Sequence, residues 1–172
     1  LERIRDVSQG VAIEMVVDRS GSMGAEMEYQ GQVYTRLDVV KKVFAEFVMG
    51  NGRGLEGRPS DLIGMIAFAR YPDTRCPLTL AHGALARFLD GVRLVQREDE
   101  DGTAIGDALA LAAARLKTAE ETVARQKNLG LKDYTLKSKI IILLTDGQNN
   151  RGRRHPLQAA ELAAQWGIKV YA

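Results

Sequence analysis

A single cysteine, Cys76, stands in 172 residues. That excludes an internal disulfide and any CxxC zinc or redox pair. Long hydrophobic runs are missing as well: the longest, such as "KIIILLT", fall far short of the roughly 18 residues that cross a bilayer. The opening "LERIRDVSQG" is polar and shows no signal-peptide pattern, so the residues given read as soluble. No excess of one charge exists either, because 24 Lys plus Arg against 22 Asp plus Glu leave +2. That is too near neutral to argue for a nucleic-acid or anionic-membrane partner. The sequence has no repeat, no GxxxxGK[ST] phosphate loop and no HExxH. "SGSMG" puts Ser20 where the first glycine of a G-x-S-x-G elbow belongs. An aspartate nucleophile at Asp18 would want a second acid two positions on, where Ser20 stands instead.

What remains is an ordinary globular composition, 45% apolar and 27% charged. A chain of this size makes one domain and buries roughly 70% of its unfolded surface. Val11 to Val17 is an apolar, β-branched run interrupted only by Glu14, which predicts a strand buried on both faces. A polar loop follows from Asp18 to Tyr34. Thr35 is a candidate N-cap for a helix with Asp38 in its first turn. Leu37, Val40, Val43, Phe44 and Phe47 form its inner face, and "MGNGRG" ends it. Leu62 to Phe68 predicts a second buried strand, and "TRCPLT" a short edge strand. Leu85, Phe88, Leu89 and Val92 mark a short helix. Thr103 opens another, with Ile105, Leu109, Ala112, Ala113 and Leu116 inside. Residues 118–138 extend that helix into a long polar loop. Ile140 to Thr145 is the most hydrophobic strand. Pro156 starts the last helix, Gly167 stops it, and Ile168 to Ala172 begins a further strand. Trp166 and the phenylalanines read as core. The alternation predicts an α/β fold: a doubly wound, mostly parallel open sheet with helices on both faces.

In such sheets ligands bind beyond the carboxyl ends of the strands. Asp18, Ser20 and Ser22 follow the first strand, and in an extended segment their alternation aims three side chains one way. Asp146 follows the "IIILLT" strand, and Thr103 enters a helix from the same edge. Two carboxylates and three hydroxyls make an oxygen-only set, which suits Mg²⁺, Mn²⁺ or Ca²⁺ rather than zinc or copper. The short side chains favour a compact site, hence Mg²⁺ or Mn²⁺ over Ca²⁺. Alone, Asp18 and Ser20 would read as a turn and cap; joined with Thr103 and Asp146 in matching contexts they read as ligands. Thr145 reads as a local hydrogen-bonding or packing residue, and Asn149 and Asn150 as turn residues. The run Glu98 to Asp101 reads as a solvated loop, Arg19 as a solvated side chain and Cys76 as a small buried one. His82 and His155 lack metal-ligand spacing.

"DRSGSMG", "DGTAIGDAL" and "LLTDGQNN" together resemble a von Willebrand factor A (VWA) domain and its metal-ion-dependent adhesion site, D-x-S-x-S…T…D. The wording is most similar to the bacterial Bat-type (aerotolerance) VWA proteins. The resemblance implies a Rossmann-like fold in which Ser20, Ser22 and Thr103 ligate the ion through hydroxyls. Asp18 and Asp146 would act directly or through water. It also implies an interaction module rather than an enzyme, whose ion accepts an Asp or Glu from a protein partner. The alternatives are a metal-assisted hydrolase and a structural module with a vestigial site. VWA domains usually continue with another helix and strand, so residues 1–172 read as a single VWA domain truncated at its C-terminus. Glu26 or Glu28 would then be a candidate internal competitor for the ion. Bat-type relatives place this domain beside membrane helices, implying a bacterial inner-membrane protein with the domain in the periplasm.

Overall fold

The computed structural model describes residues 9–127 and 134–172, apart from the side chains of residues 126 and 127. The polar opening segment and part of the 118–138 stretch therefore lie outside the described residues.

The expected doubly wound sheet is present. It consists of β1 (Gln9–Asp18), β4 (Leu62–Phe68), β5 (Pro72–Thr79), β6 (Thr135–Leu144) and β7 (Ile168–Tyr171), in the order β5-β4-β1-β6-β7. β1 pairs in parallel with β4 and β6, and β6 in parallel with β7. β5 is an antiparallel edge, as the prolines in it require. β1 is buried from Ala12 to Asp18 and β4 at every position, because helices cover both faces. One face packs α1 (Arg36–Met49) and α2 (His82–Asp90) on Ile13, Met15, Ile63 and Met65. The other packs α3 (Ile105–Lys117), α4 (Ala119–Lys127) and α5 (Pro156–Gln165) on Ala12, Val16, Leu62 and Ile66.

Local signals explain most boundaries. Thr35 caps α1 by accepting from the Asp38 amide, and Gly50 with φ 81° ends it. His155 caps α5, with Pro156 at its first position. Ile105, Leu109, Ala112, Ala113 and Leu116 form the buried face of α3 as expected.

Four expectations need correction. The Asp18–Tyr34 stretch is not one loop. It holds a 3-10 turn (Gly21–Gly24) and an antiparallel hairpin, β2 (Glu26–Tyr29) and β3 (Gln32–Thr35). The hairpin turns at Gln30 and Gly31, both with positive φ; its exposed strands carry too few apolar residues to signal themselves. Val43 and Phe88 face outward, 41% and 49% exposed, because the α1 ridge runs through Leu37, Phe44 and Val48 and the buried face of α2 through Leu85 and Leu89. Trp166 is only partly buried, with Lys117 Nζ 4.3 Å from its ring centre. Ala104, not Thr103, occupies the N-cap of α3.

Glu14 is the anomaly of β1. It is fully buried, and neither carboxyl oxygen has a hydrogen-bond partner among the described residues. Burial pushes its pKa up to about 8 from 4.5, only partly opposed by the charge of Arg115. The folded protein therefore holds this proton more tightly than the unfolded chain does. Stability from this group is full below about pH 4.5 and is lost as pH rises through about 8, at up to roughly 1.4 kcal/mol per pH unit. Thermal unfolding of the wild type should fall across that window, while Glu14→Gln should flatten the decline. Parallel pH profiles for the two proteins would exclude Glu14 as its source.

Candidate metal centre

The rim is assembled where β1 and β6 end side by side, the position at which chain connections leave β1 in opposite directions. Asp18 closes β1 with a fully buried side chain. Its Oδ1 accepts from the Ser20 amide at 2.8 Å, and its Oδ2 accepts from the Thr145 hydroxyl at 2.6 Å. Burial raises the Asp18 pKa. The bonds from Thr145 and Ser20 work against that shift, and the charge of Asp146 adds to it.

From this floor the polar chain runs outward. Ser20 Oγ lies 3.1 Å from Ser22 Oγ, and Ser22 Oγ donates to Asp146 Oδ1 at 2.9 Å. The second Asp146 oxygen takes the guanidinium of Arg36, from the first turn of α1. Thr103 joins from the third loop. A Cβ placed on Gly147 would stand 3.4 Å from Thr103 Oγ1 and 3.9 Å from Asp18 Oδ2, so Gly147 lies beside both oxygens. Ser20, Ser22 and Thr103 line one open cleft of about 310 Å³, together with Asp101, Asn150 and Arg151. All five candidate ligands thus gather at one rim. Asp18, Ser20 and Thr103 are buried, whereas Ser22 faces solvent.

The donor set fits a hard divalent ion: three hydroxyls and two carboxylates, all oxygen. Among the described residues no three His, Cys, Asp or Glu side chains gather as a metal site. The histidines serve elsewhere: His82 Nε2 lies 2.8 Å from the Asp61 carbonyl, and His155 caps α5.

Several supporting residues exceed what their sequence positions signalled. Thr145 accepts locally from the Gly147 amide at 3.2 Å, as expected, and also donates to Asp18 across the rim. Asn150 Oδ1 accepts from the Thr103 amide at 2.9 Å, and Asn149 Oδ1 from the Gly106 amide at 3.2 Å. They bind the β6 loop to the start of α3 instead of merely turning the chain. Gly106 permits this approach, since a Cβ there would overlap the Arg154 carbonyl. Asp101 is more than a solvated charge, because its Oδ1 accepts from the Gly21 amide at 2.9 Å. Arg19 donates to the Arg93 carbonyl and is half-buried. Glu26 and Glu28 are exposed on the hairpin and form no ion pair among the described residues; the side chain that reaches Asp146 from this region is the cation Arg36.

A sequence profile of the von Willebrand factor type A domain matches residues 13–148. An uncharacterized protein of Borreliella burgdorferi is 28% identical over 166 residues, covering 96% of this chain and 41% of that protein. Among solved structures, conserved hypothetical protein BatB from Bacteroides thetaiotaomicron is 28% identical with a TM-score of 0.66, covering 94% of this chain and 64% of that one. An aerotolerance-related membrane protein from Bacteroides fragilis is 27% identical, also with a TM-score of 0.66, over 94% and 65% of the two chains. Proximal thread matrix protein 1 of the mussel byssus, described with a zinc-occupied MIDAS motif, shares the fold at 22% identity and a TM-score of 0.59, over 95% and 37%. The chain thus spans about two fifths of the curated relative and just under two thirds of the Bacteroides proteins.

The asparagine clamp is directly testable. Asn150→Ala removes the acceptor from the Thr103 amide and should cost about 1–3 kcal/mol in urea unfolding. Asn150→Asp keeps an acceptor and should cost less. Equal losses would show that the bond to Thr103 is not what the site depends on.

Proposed function

We propose, for a chain that belongs to the von Willebrand factor type A domain family, that its polar rim is a metal-ion-dependent adhesion site. Domains of this family are in general protein-interaction modules. The observation that carries the reading is the meeting of Asp18, Ser20, Ser22, Thr103 and Asp146 from three loops at one rim. These five residues would hold Mg²⁺ or Mn²⁺, with Ca²⁺ less suited to side chains this short. The zinc of the mussel protein belongs to that protein. When bound, the ion would supply residual positive charge and an open position for an Asp or Glu of a protein partner, because three of its five ligands are neutral hydroxyls.

The chain's own groups prepare that encounter. Thr145 and the Ser20 amide orient the Asp18 carboxylate, and Asn150 fixes the backbone of Thr103. Arg36 takes one Asp146 oxygen, leaving the other to Ser22. The exposed side of the cleft, at Ser22 and Arg151, stays open to an incoming group.

Likeness to a membrane protein of Bacteroides fragilis supports placing the domain in a bacterial membrane-associated complex; its facing the periplasm is part of the proposal. Among the described residues no helix is long and apolar enough to cross a membrane. Metal-assisted hydrolysis is the second reading, with Asp18 or Asp146 as the base.

Calorimetric titration of Mg²⁺ should give a saturable heat that weakens at least about tenfold in Ser20→Ala and Asp146→Ala, a loss of about 1.4 kcal/mol. Partner capture from the source cell should vanish with chelator and return with Mg²⁺. Unchanged heat in both variants would rule out this site. Turnover of phosphoesters abolished by Asp18→Asn would favour the hydrolase instead.

A further inference from the structure

Between β5, α3 and α4 lies a second cavity of about 440 Å³, which shares no lining residue with the rim cleft. Its lining includes Glu14, Thr74, Leu78, Arg115, Thr122 and Arg125. Glu14 and Leu78 are buried, whereas Arg115 and Arg125 are exposed at the mouth. Glu14 is fully buried, and neither of its carboxyl oxygens finds a hydrogen-bond donor among the described residues. Its position is provided for by the neighbouring strand: a Cβ at residue 64 would come within 2.7 Å of Glu14 Oε1, and the residue there is Gly64. Arg115 spends only its Nε, which donates to Thr74 Oγ1 at 3.3 Å.

An unpartnered carboxyl inside and two guanidinium groups outside restrict what fits. A bare cation meets Glu14 favourably but must pass, and stay near, two positive charges. A bare anion satisfies the arginines and leaves the carboxyl unmatched. A molecule carrying a cation at one end and an anion at the other satisfies both, and the volume suits a small metabolite. Pairing also removes the penalty of a buried carboxyl without a partner.

We propose that this cavity binds a small zwitterion, with a primary ammonium at Glu14 and a carboxylate between Arg115 and Arg125. Its short chain would lie against Leu78, with the hydroxyls of Thr74 and Thr122 beside it. The cavity uses none of the five rim ligands, so it stands or falls separately from metal binding.

The test is calorimetry of the whole chain in the presence of chelator, using γ-aminobutyrate and glycylglycine as zwitterions. Propylamine and butyrate supply the two ends singly. At least one zwitterion should bind saturably, and each half-molecule at least about tenfold more weakly. Glu14→Gln keeps the shape and removes the ionisable carboxyl that an ammonium would pair with, and Arg115→Gln changes an exposed residue; each should weaken the zwitterion about tenfold or more. The unfolding transition of each variant establishes that it is folded. Absence of saturable heat from both zwitterions at about 10 mM, well beyond ordinary metabolite affinities, would overturn the proposal. So would an affinity unchanged in folded Glu14→Gln, or butyrate binding as tightly as the zwitterions.

Discussion

The carboxylate of Asp18 is the joint on which the rim is built. A fully buried acid is costly, and here the cost is offset by two oriented donors from different loops, the Ser20 amide and the Thr145 hydroxyl. Because β1 and β6 are neighbours in the sheet, the residue just past β6 meets the last residue of β1. The fold therefore brings the two acid-bearing loops together before any ligand is considered. Ser20, Ser22 and Asp146 then follow as a continuous hydrogen-bonded path.

The third loop is held by a different device. Asn149 and Asn150 receive backbone amides at the start of α3, and Gly106 lets the Arg154 carbonyl approach that helix. Thr103 is therefore placed by the β6 loop as much as by its own helix. The Gly106 amide, which a capping Thr103 hydroxyl would otherwise accept, donates to Asn149 Oδ1 instead, which leaves that hydroxyl free for the centre.

How much of this could be read along the chain depends on distance in sequence. β1, β4 and the hydrophobic half of β6 were legible because burial on both faces demands unbroken apolar runs. Asp18, Ser20 and Ser22 were legible because they alternate within five residues of one another, and Thr103 and Asp146 because each adjoins a strand or helix boundary. The polar half of β6, from Thr135, was not, since its exposed lysines and serine resemble a loop. Nor were the supports: Thr145 and Asp18 are 127 positions apart, and Arg36 and Asp146 are 110 apart. Thr145 and Asn150 carry ordinary turn chemistry in the sequence, and only folding shows whose amide or carboxylate they serve. Glu14 was visible as an interruption, but the space it faces is made by α3, α4 and β5 together.

Two prolines within the eight residues of β5 have a further effect on how molecules meet. A strand at the margin of a sheet offers its backbone to any extended segment passing by, and Pro72 and Pro77 withhold two of the amides such a segment would need. Pro77 is exposed in the middle of that border. The sheet is thus guarded against lateral stacking on its antiparallel side.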